Sequence, residues 1–194
     1  MVRDITISQE VFDFLTELQN NNNREWFEAH KPTFKNHQAK VKSFFEAVKD
    51  NLNHHDEIEK MKMFRIYRDV RFSNDKTPYK SHLAGSFSRL GAHLRGGYYI
   101  HLKPGGSLLA TGFWNPNKGD LFRIRKELEM DASEFRNVIN KKELKTIWGE
   151  LSGDEVKTAP KGFDKEHPDI DLIKKKQFVF VRNLTDKEVL SPSF

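Results

Sequence analysis

The chain has 194 residues, of which 37% are hydrophobic and 31% charged, with 33 Lys or Arg, 28 Asp or Glu and no cysteine. This length is slightly long for one average domain and short for two, and roughly 70% of the unfolded surface can be buried, so the core needs no metal or disulfide. The composition excludes disulfides, thiol nucleophiles and Cys-ligated zinc. With no signal-peptide core and no run of 18 apolar residues, we expect a soluble, cytoplasmic protein.

The net charge of +5 and the pI of about 9.3 favour acidic partners in general. This charge is far less dense than in a dedicated DNA-binding domain. Residues 60–80 hold seven Lys or Arg against two Asp, a surplus equal to that of the whole protein. The unbalanced positive charge therefore lies in this segment.

Three helices are predicted at the start of the chain. The first covers residues 8–20, where apolar side chains recur at helical spacing. Asn23 is a suitable N-cap for a second helix over 24–31, which should end before Pro32 because a residue that precedes proline avoids helical geometry. The third covers 33–52, with aromatic and aliphatic side chains on one stripe.

The middle of the chain changes to the alternating pattern of strands. Arg68 interrupts the apolar face of the first strand, and residues 73–81 read as an ordered loop. Pro104-Gly105-Gly106 joins the predicted strands 97–103 and 107–114 in the clearest β-hairpin of the chain. The predicted strands cover 64–72, 83–90, 97–103 and 107–114.

Helices return after the hairpin. Asp120 is a suitable cap for a helix over 121–130, and residues 153–168 read as a long loop. The remaining predicted elements are a helical piece capped by Ser133, helical pieces over 142–151 and 171–176, and a strand over 177–182. The order of elements predicts one α+β domain over 1–194, an antiparallel sheet with N-terminal and C-terminal helices packed against it.

Familiar catalytic and metal-binding patterns are absent from the sequence. The eight histidines lack zinc-site spacing, and the chain has no nucleophile elbow, Walker-type loop or dinucleotide fingerprint. We therefore predict no metal and no cofactor, and the sequence leaves open whether the protein is an enzyme.

The arginines and lysines of the 65–82 segment predict a site for a small anionic ligand that carries phosphate or carboxylate. Arginine offers a planar fork of donors and lysine a point charge, while aromatic side chains could form the walls. His82 is suited to proton transfer, because an unperturbed imidazole has a pKa near 6.5. The candidate ligand-binding residues are Arg65, Arg68, Arg71, Lys76, Tyr79, Lys80, His82, Trp114, Arg125 and Lys161.

Two alternatives stay open. In the first, Asp69 and Asp75 pair with the arginines and lock a loop onto the sheet, and the function is a protein contact elsewhere; Arg68 on an apolar face favours this reading, since a charge there needs a partner. In the second, which we consider less well supported, a basic surface binds nucleic acid, although no recognition helix or RNP-type motif is present.

Several motifs together resemble a known family. They are NNNREWFEAHK (21–31), FRIYRDVRFSNDKTPYKSH (64–82), GGYYIHLKPG (96–105), GFWNP (112–116), LFRIRKEL (121–128), APKGF (159–163) and QFVFVR (177–182). In this order they are similar to the conserved-hypothetical family known as domain of unknown function 2461.

The resemblance implies a single α+β domain without an established activity or cofactor. It also leads us to expect a further C-terminal helical segment after residue 190, so that the chain would be truncated. Its motifs match, in this sequence, Asn22, Asn23, Trp26, Phe27, Arg65, Arg68, Asp69, Arg71, Phe72, Lys76, Pro78, Tyr79, His82, Trp114, Pro116, Arg125, Lys161 and Gly162.

Overall fold

The computed structural model describes residues 5–91 and 93–194. Within these ranges it has seven helices and five strands, which confirms the predicted α+β class and antiparallel sheet. The strands are β1 (Ile58–Met63), β2 (Leu83–Arg89), β3 (Gly97–Leu102), β4 (Ser107–Phe113) and β5 (Phe178–Leu184), in the spatial order β1-β2-β3-β4-β5. The helices are α1 (Gln9–Asn20), α2 (Arg24–Leu52), α3 (Lys118–Met130), α4 (Ser133–Ile139), α5 (Lys142–Trp148), α6 (Ile170–Ile173) and α7 (Asp186–Val189).

The chain divides into two compact units. The first contains the residues up to Leu109 together with Asn183–Phe194, and the second contains Ala110–Arg182. Each unit has its own cluster of buried apolar side chains. No helix in the described ranges is long and apolar enough to cross a membrane.

The second helix of the first unit differs from its prediction. α2 continues through Pro32 without a break, so the predicted division into two helices at that residue is wrong. Side chains on both sides of the proline pack on Phe14 of α1, with ring centroids 5.6 Å from Trp26 and 6.1 Å from Phe34. This shared packing offsets the loss of one helical hydrogen bond at proline.

The start of α2 agrees with the prediction. The side-chain oxygen of Asn23 accepts a hydrogen bond from the backbone N–H of Trp26 at 2.9 Å. This bond satisfies one of the donors that a helix N-terminus leaves without an intrahelical partner.

Residues 64–72 do not form the predicted strand. The regular strand lies before them, at Ile58–Met63, and the segment after it folds back on its own downstream residues. Arg68 donates its backbone N–H to the carbonyl of Pro78 at 2.9 Å, so its main chain is paired within the loop. The apolar residues do alternate along this segment. However, its backbone N–H and C=O groups form hydrogen bonds within the loop instead of with a neighbouring strand of the sheet.

β2 and β3 present two chemically different faces. Their register pairs Leu83 with Leu102, and these two side chains and Phe87 are at most 2% exposed in the core of the first unit. Successive side chains on a strand point to opposite faces. The alternate positions, among them Tyr99 and His101, therefore lie on the other face of the sheet.

Gly85 shows how closely α2 approaches β2. A Cβ atom at this position would lie 2.7 Å from the ring of Phe45, which is completely buried on α2. Only glycine permits this packing distance without displacement of the ring.

The second unit builds its core from α3, α4, α6 and β5. Asn117, rather than the predicted Asp120, caps α3, because its side-chain oxygen accepts the backbone N–H of Asp120 at 2.9 Å. Phe135 of α4 contacts Phe178 of β5 with ring centroids 5.8 Å apart. Leu172 and Ile173 of α6 are buried in the same cluster.

The last residues of the chain belong to the first unit. Thr185 and Glu188 form a capping box at α7, and the carboxylate of Asp186 accepts the backbone N–H of Gly105 at 2.9 Å. Val189 is completely buried in the core of the first unit. These contacts anchor α7 to that core.

Candidate functional site

The arginines at the tip of the 64–82 segment have partners inside the segment. The guanidinium of Arg68 donates to the carboxylate of Asp75 and to the hydroxyl of Thr77. Arg71 forms a two-pronged pair with Asp69, with atom separations of 2.9 Å (Nε to Oδ1) and 2.6 Å (Nη2 to Oδ2). The bonds from Arg71 lower the pKa of Asp69. The pKa of Asp75 is lowered to about 2, mainly by hydrogen bonds from the backbone and hydroxyl of Thr77 and further by Arg68.

Two more residues predicted for the site also have structural contacts. Lys76 donates from Nζ to the carbonyl of Val70 at 3.0 Å, which ties down the tip of the loop. Tyr79 is 3% exposed and stacks on Phe27 of α2 with ring centroids 4.0 Å apart. The amide of Asn22 bonds the backbone of Tyr79 in both directions. Tyr79 is therefore an anchor of the loop in the core.

The base of the same segment is different, because its cations form no ion pair with a carboxylate among the described residues. Lys80 is half-buried, and its ammonium lies 5.8 Å from the ring centroid of Phe64. Neither Lys80 nor Arg65 makes a side-chain hydrogen bond or an ion pair with any residue in the described ranges. Burial lowers the pKa of Lys80, and the nearby positive charge of Arg65 lowers it further.

His82 stacks on His101 of β3, with ring centroids 4.1 Å apart and an angle of 29° between the rings. Nδ1 of His101 lies 3.1 Å from the hydroxyl of Tyr99, at hydrogen-bonding distance. Within the described ranges, the ring nitrogens of His82 have no hydrogen-bond partner. Lys80, His82, Tyr99, His101 and Lys103 together are called here the His–Lys cluster.

The surroundings of the His–Lys cluster disfavour the charged forms of its two histidines and of Tyr99. Burial lowers the pKa of His82 to about 4, with further contributions from His101, Lys80 and Lys103. Burial and Lys103 lower the pKa of His101 in the same way, and burial raises the pKa of Tyr99. At neutral pH both imidazoles are therefore uncharged and Tyr99 keeps its proton.

No carboxylate balances these groups. Among the described residues, none of the cationic or imidazole side chains of the His–Lys cluster forms an ion pair or hydrogen bond with Asp or Glu. A charged group without a partner loses hydration on burial and gains nothing in return. The cluster is therefore a local excess of positive potential and of hydrogen-bond donors on one face of the sheet.

The other three predicted site residues lie in the second unit. Arg125 of α3 donates from Nη2 to the carbonyl of Lys175 at 3.1 Å, while its buried Nε has no hydrogen-bond partner among the described residues and burial lowers the pKa of Arg125. Trp114 is 59% exposed, and Lys161 is exposed as well. The contact that holds Arg125 is thus a backbone carbonyl and not a carboxylate.

The sequence analysis did not select Tyr99, His101 or Lys103. Their signal was the period-two spacing in GGYYIHLKPG, which places alternate residues of a strand on one face. Recognition also required the antiparallel partner strand, because His82 reaches this face only through the pairing of β2 with β3. In the described ranges no group of three or more His, Asp or Glu side chains could hold a metal ion.

The fold and the cluster define an α+β protein with a partly buried, positively charged patch on a sheet. The chain belongs to the family described as "Conserved hypothetical protein (DUF2461)", whose model matches residues 10–194, and the resemblance seen in the motifs is thus confirmed. Comparisons with curated proteins and with solved structures found no match. The family description names no reaction or ligand, so the function has to be inferred from the residues of the site.

Proposed function

We propose that the protein binds a small anionic ligand, bearing phosphate or carboxylate, at the His–Lys cluster. The observation that supports this most strongly is the half-buried ammonium of Lys80, which has no carboxylate partner among the described residues and lies near the positive charge of Arg65. An anion placed there would supply the missing counter-charge. The sequence analysis proposed a small-anion site along the whole 65–82 segment. The present proposal limits the site to the base of that segment, where it meets β3.

The chemistry of the cluster suits a compact anion. Lys80 and Lys103 offer point charges, and His82 offers ring nitrogens that have no hydrogen-bond partner in the described part of the chain. Hydrogen bonds between ionised partners are shorter and roughly twice as strong as neutral ones. A phosphate or carboxylate group could accept from several of these donors at once, whereas a neutral ligand would leave the lysines unpaired.

The contrast with Arg68 and Arg71 also supports a site at the base of the segment. Those guanidinium groups already bind Asp75 and Asp69, so a ligand would have to displace an intramolecular carboxylate. Lys80 imposes no such competition. As the cysteine-free composition predicts, the proposal places this binding in the cytoplasm.

Thermal denaturation in the presence of sulfate, phosphate and sugar phosphates tests the proposal. A ligand at 100 times its Kd adds about 2.7 kcal/mol to the free energy of unfolding, which raises the unfolding temperature. We expect such a shift with at least one of these anions. Sodium chloride at matched ionic strength separates specific binding from general screening.

A matched pair of variants locates the binding. Lys80→Met removes the proposed contact, and Lys60→Met removes an exposed lysine of β1 with the same change in net charge. Loss of a hydrogen bond to a charged group costs about 1.5–3 kcal/mol, so Lys80→Met should weaken anion binding by about tenfold or more. Equal weakening in both variants, or no anion-dependent shift in the unmodified protein, would overturn the proposal.

A further inference from the structure

We propose that the His–Lys cluster takes up protons together with its anion, so that ligand binding and protonation of the His82–His101 pair are one coupled event. This inference rests on the proposed function and adds a regulation to it. Occupancy of the site would then rise as the pH falls below neutral.

The stacking of the two imidazoles supplies the geometric argument. The ring centroids of His82 and His101 lie 4.1 Å apart, so protonation of both rings would place two positive charges in contact. Repulsion between like charges at this distance makes protonation of both rings unfavourable unless an anion lies beside them. This repulsion therefore disfavours the doubly protonated pair in the empty protein, and an anion at the ring edges would reduce the penalty.

The surrounding charges act in the same direction. Lys80 comes from the segment before β2 and Lys103 from the end of β3, and both disfavour protonation of His82. Arg65 adds its charge beside Lys80, and Lys62 of β1 lies over the ring of Phe64. Each of these groups is cationic, and Arg65 also interacts with the carboxylate of Asp69. A bound anion would therefore lower the positive potential at the imidazoles.

Hydrogen-bonding capacity supports the same conclusion. Neutral imidazole has one donor and one acceptor nitrogen, whereas the protonated ring has two donors. One ring nitrogen of His101, Nδ1, lies at hydrogen-bonding distance from the hydroxyl of Tyr99. Protonation would increase the number of N–H groups that the pair can direct at an anion.

Linkage makes the consequence reciprocal. An anion that favours the protonated pair raises the pKa values of its imidazoles, and protonation raises the affinity for the anion by the same factor. If one proton is taken up per anion, the Kd should fall close to tenfold for each unit by which the pH falls, between the pKa values of the free and bound states.

Sulfate is the appropriate probe, because it stays a dianion across this range and any dependence on pH must come from the protein. We would measure its Kd by calorimetry between about pH 5.5 and pH 7.5, where an imidazole titrates. The same titrations in two buffers with different ionisation enthalpies count the protons taken up. We expect tighter binding at the lower pH and uptake of at least half a proton per sulfate, about the least that is distinguishable from zero.

Variants assign the proton to the pair. His82→Phe and His101→Phe each keep an aromatic ring in the stack and remove one titrating group, so both should flatten the dependence on pH. His54→Phe changes an exposed histidine at the end of α2 and should leave the dependence unchanged. Thermal denaturation without sulfate establishes that each variant is folded.

The outcomes separate the inference from the function on which it rests. Sulfate binding that is independent of pH, or a dependence on pH that survives in both His82→Phe and His101→Phe, would overturn proton coupling and leave the anion site intact. No binding of sulfate at any pH would overturn both. The proton count in the unmodified protein decides the question even if a variant fails to fold.

Discussion

Two basic regions of the first unit use the same kinds of side chain in opposite ways. The loop around Arg68 and Arg71 pairs each guanidinium with a carboxylate, whereas Lys80, His82 and Lys103 of the His–Lys cluster have no acidic partner in the described ranges. The first arrangement maintains the shape of a loop. The second leaves donors unused on a half-buried sheet face, which is a typical arrangement for a ligand site. Charge density along the sequence does not distinguish the two cases.

The largest effect should come from the anchor of the paired loop. Tyr79→Ala removes a ring that is 3% exposed and stacked on Phe27, and loss of a buried aromatic side chain costs about 3–5 kcal/mol. Urea denaturation measures this change. Tyr67→Ala is the control, since Tyr67 is 48% exposed and should cost much less. Equal costs would show that the stacking contributes little to the stability of the loop.

A smaller effect separates the paired and unpaired cations. Arg68→Met removes bonds to Asp75 and Thr77 from a side chain that is 25% exposed, so we expect a loss on the order of 1–3 kcal/mol. Lys80→Met should cost nothing comparable, because it removes a half-buried charge that has no acidic partner among the described residues. Arg71→Met should leave the urea midpoint nearly unchanged, since that pair is exposed. A greater loss for Lys80→Met than for Arg68→Met would contradict the comparison.

The smallest effect concerns acid pH. The pKa of His82 is about 4 in the folded protein and about 6.5 in the unfolded chain, so the unfolded chain binds more protons between these values. The free energy of unfolding should therefore decrease as the pH falls from about 6.5 to about 4, by about 1–2 kcal/mol for this group once solvent screening of the half-exposed ring is allowed for. Buried His37, whose pKa is also lowered by burial, adds a loss of the same sign.

His82→Phe checks this assignment. Chemical denaturation at several pH values should show a shallower loss of stability in this variant than in the unmodified protein. Sulfate should oppose the loss in the unmodified protein, because an anion at the cluster favours the protonated ring. A slope that is unaffected by the substitution would assign the acid sensitivity to other groups, with His37 and His101 as the first to examine.

Much of the fold could be predicted from local patterns. Short-range periodicity and turn residues were enough to predict the apolar stripe of α1, the Asn23 cap, the β3–β4 hairpin and the strand near residue 180. The errors arose where distant residues outweighed local preference. Pro32 stays within a helix because Phe14 packs on both sides of it, and residues 64–72 leave the sheet because they pair with the residues near Pro78.

The candidate site could be predicted only in part for the same reason. Arg65, Lys80 and His82 were selected because they lie in a basic segment, and Arg65 and Lys80 form no ion pair with a carboxylate in the described ranges. His101 lies in β3 and Lys103 directly after it, about twenty residues further along the chain, and no local signal connects them to His82. Cross-strand pairing makes the connection, since His82 directly precedes β2 and β2 pairs with β3.

The sequence by itself determined the α+β class, the family, the location of the surplus charge and the absence of thiol chemistry. These properties follow from the residue types and their local spacing, which do not depend on how the chain folds. Only the tertiary structure decided which cations are neutralised and which are not. That depends on distances between side chains far apart in sequence, such as His82 and His101, and electrostatic energies change steeply with such distances and with burial.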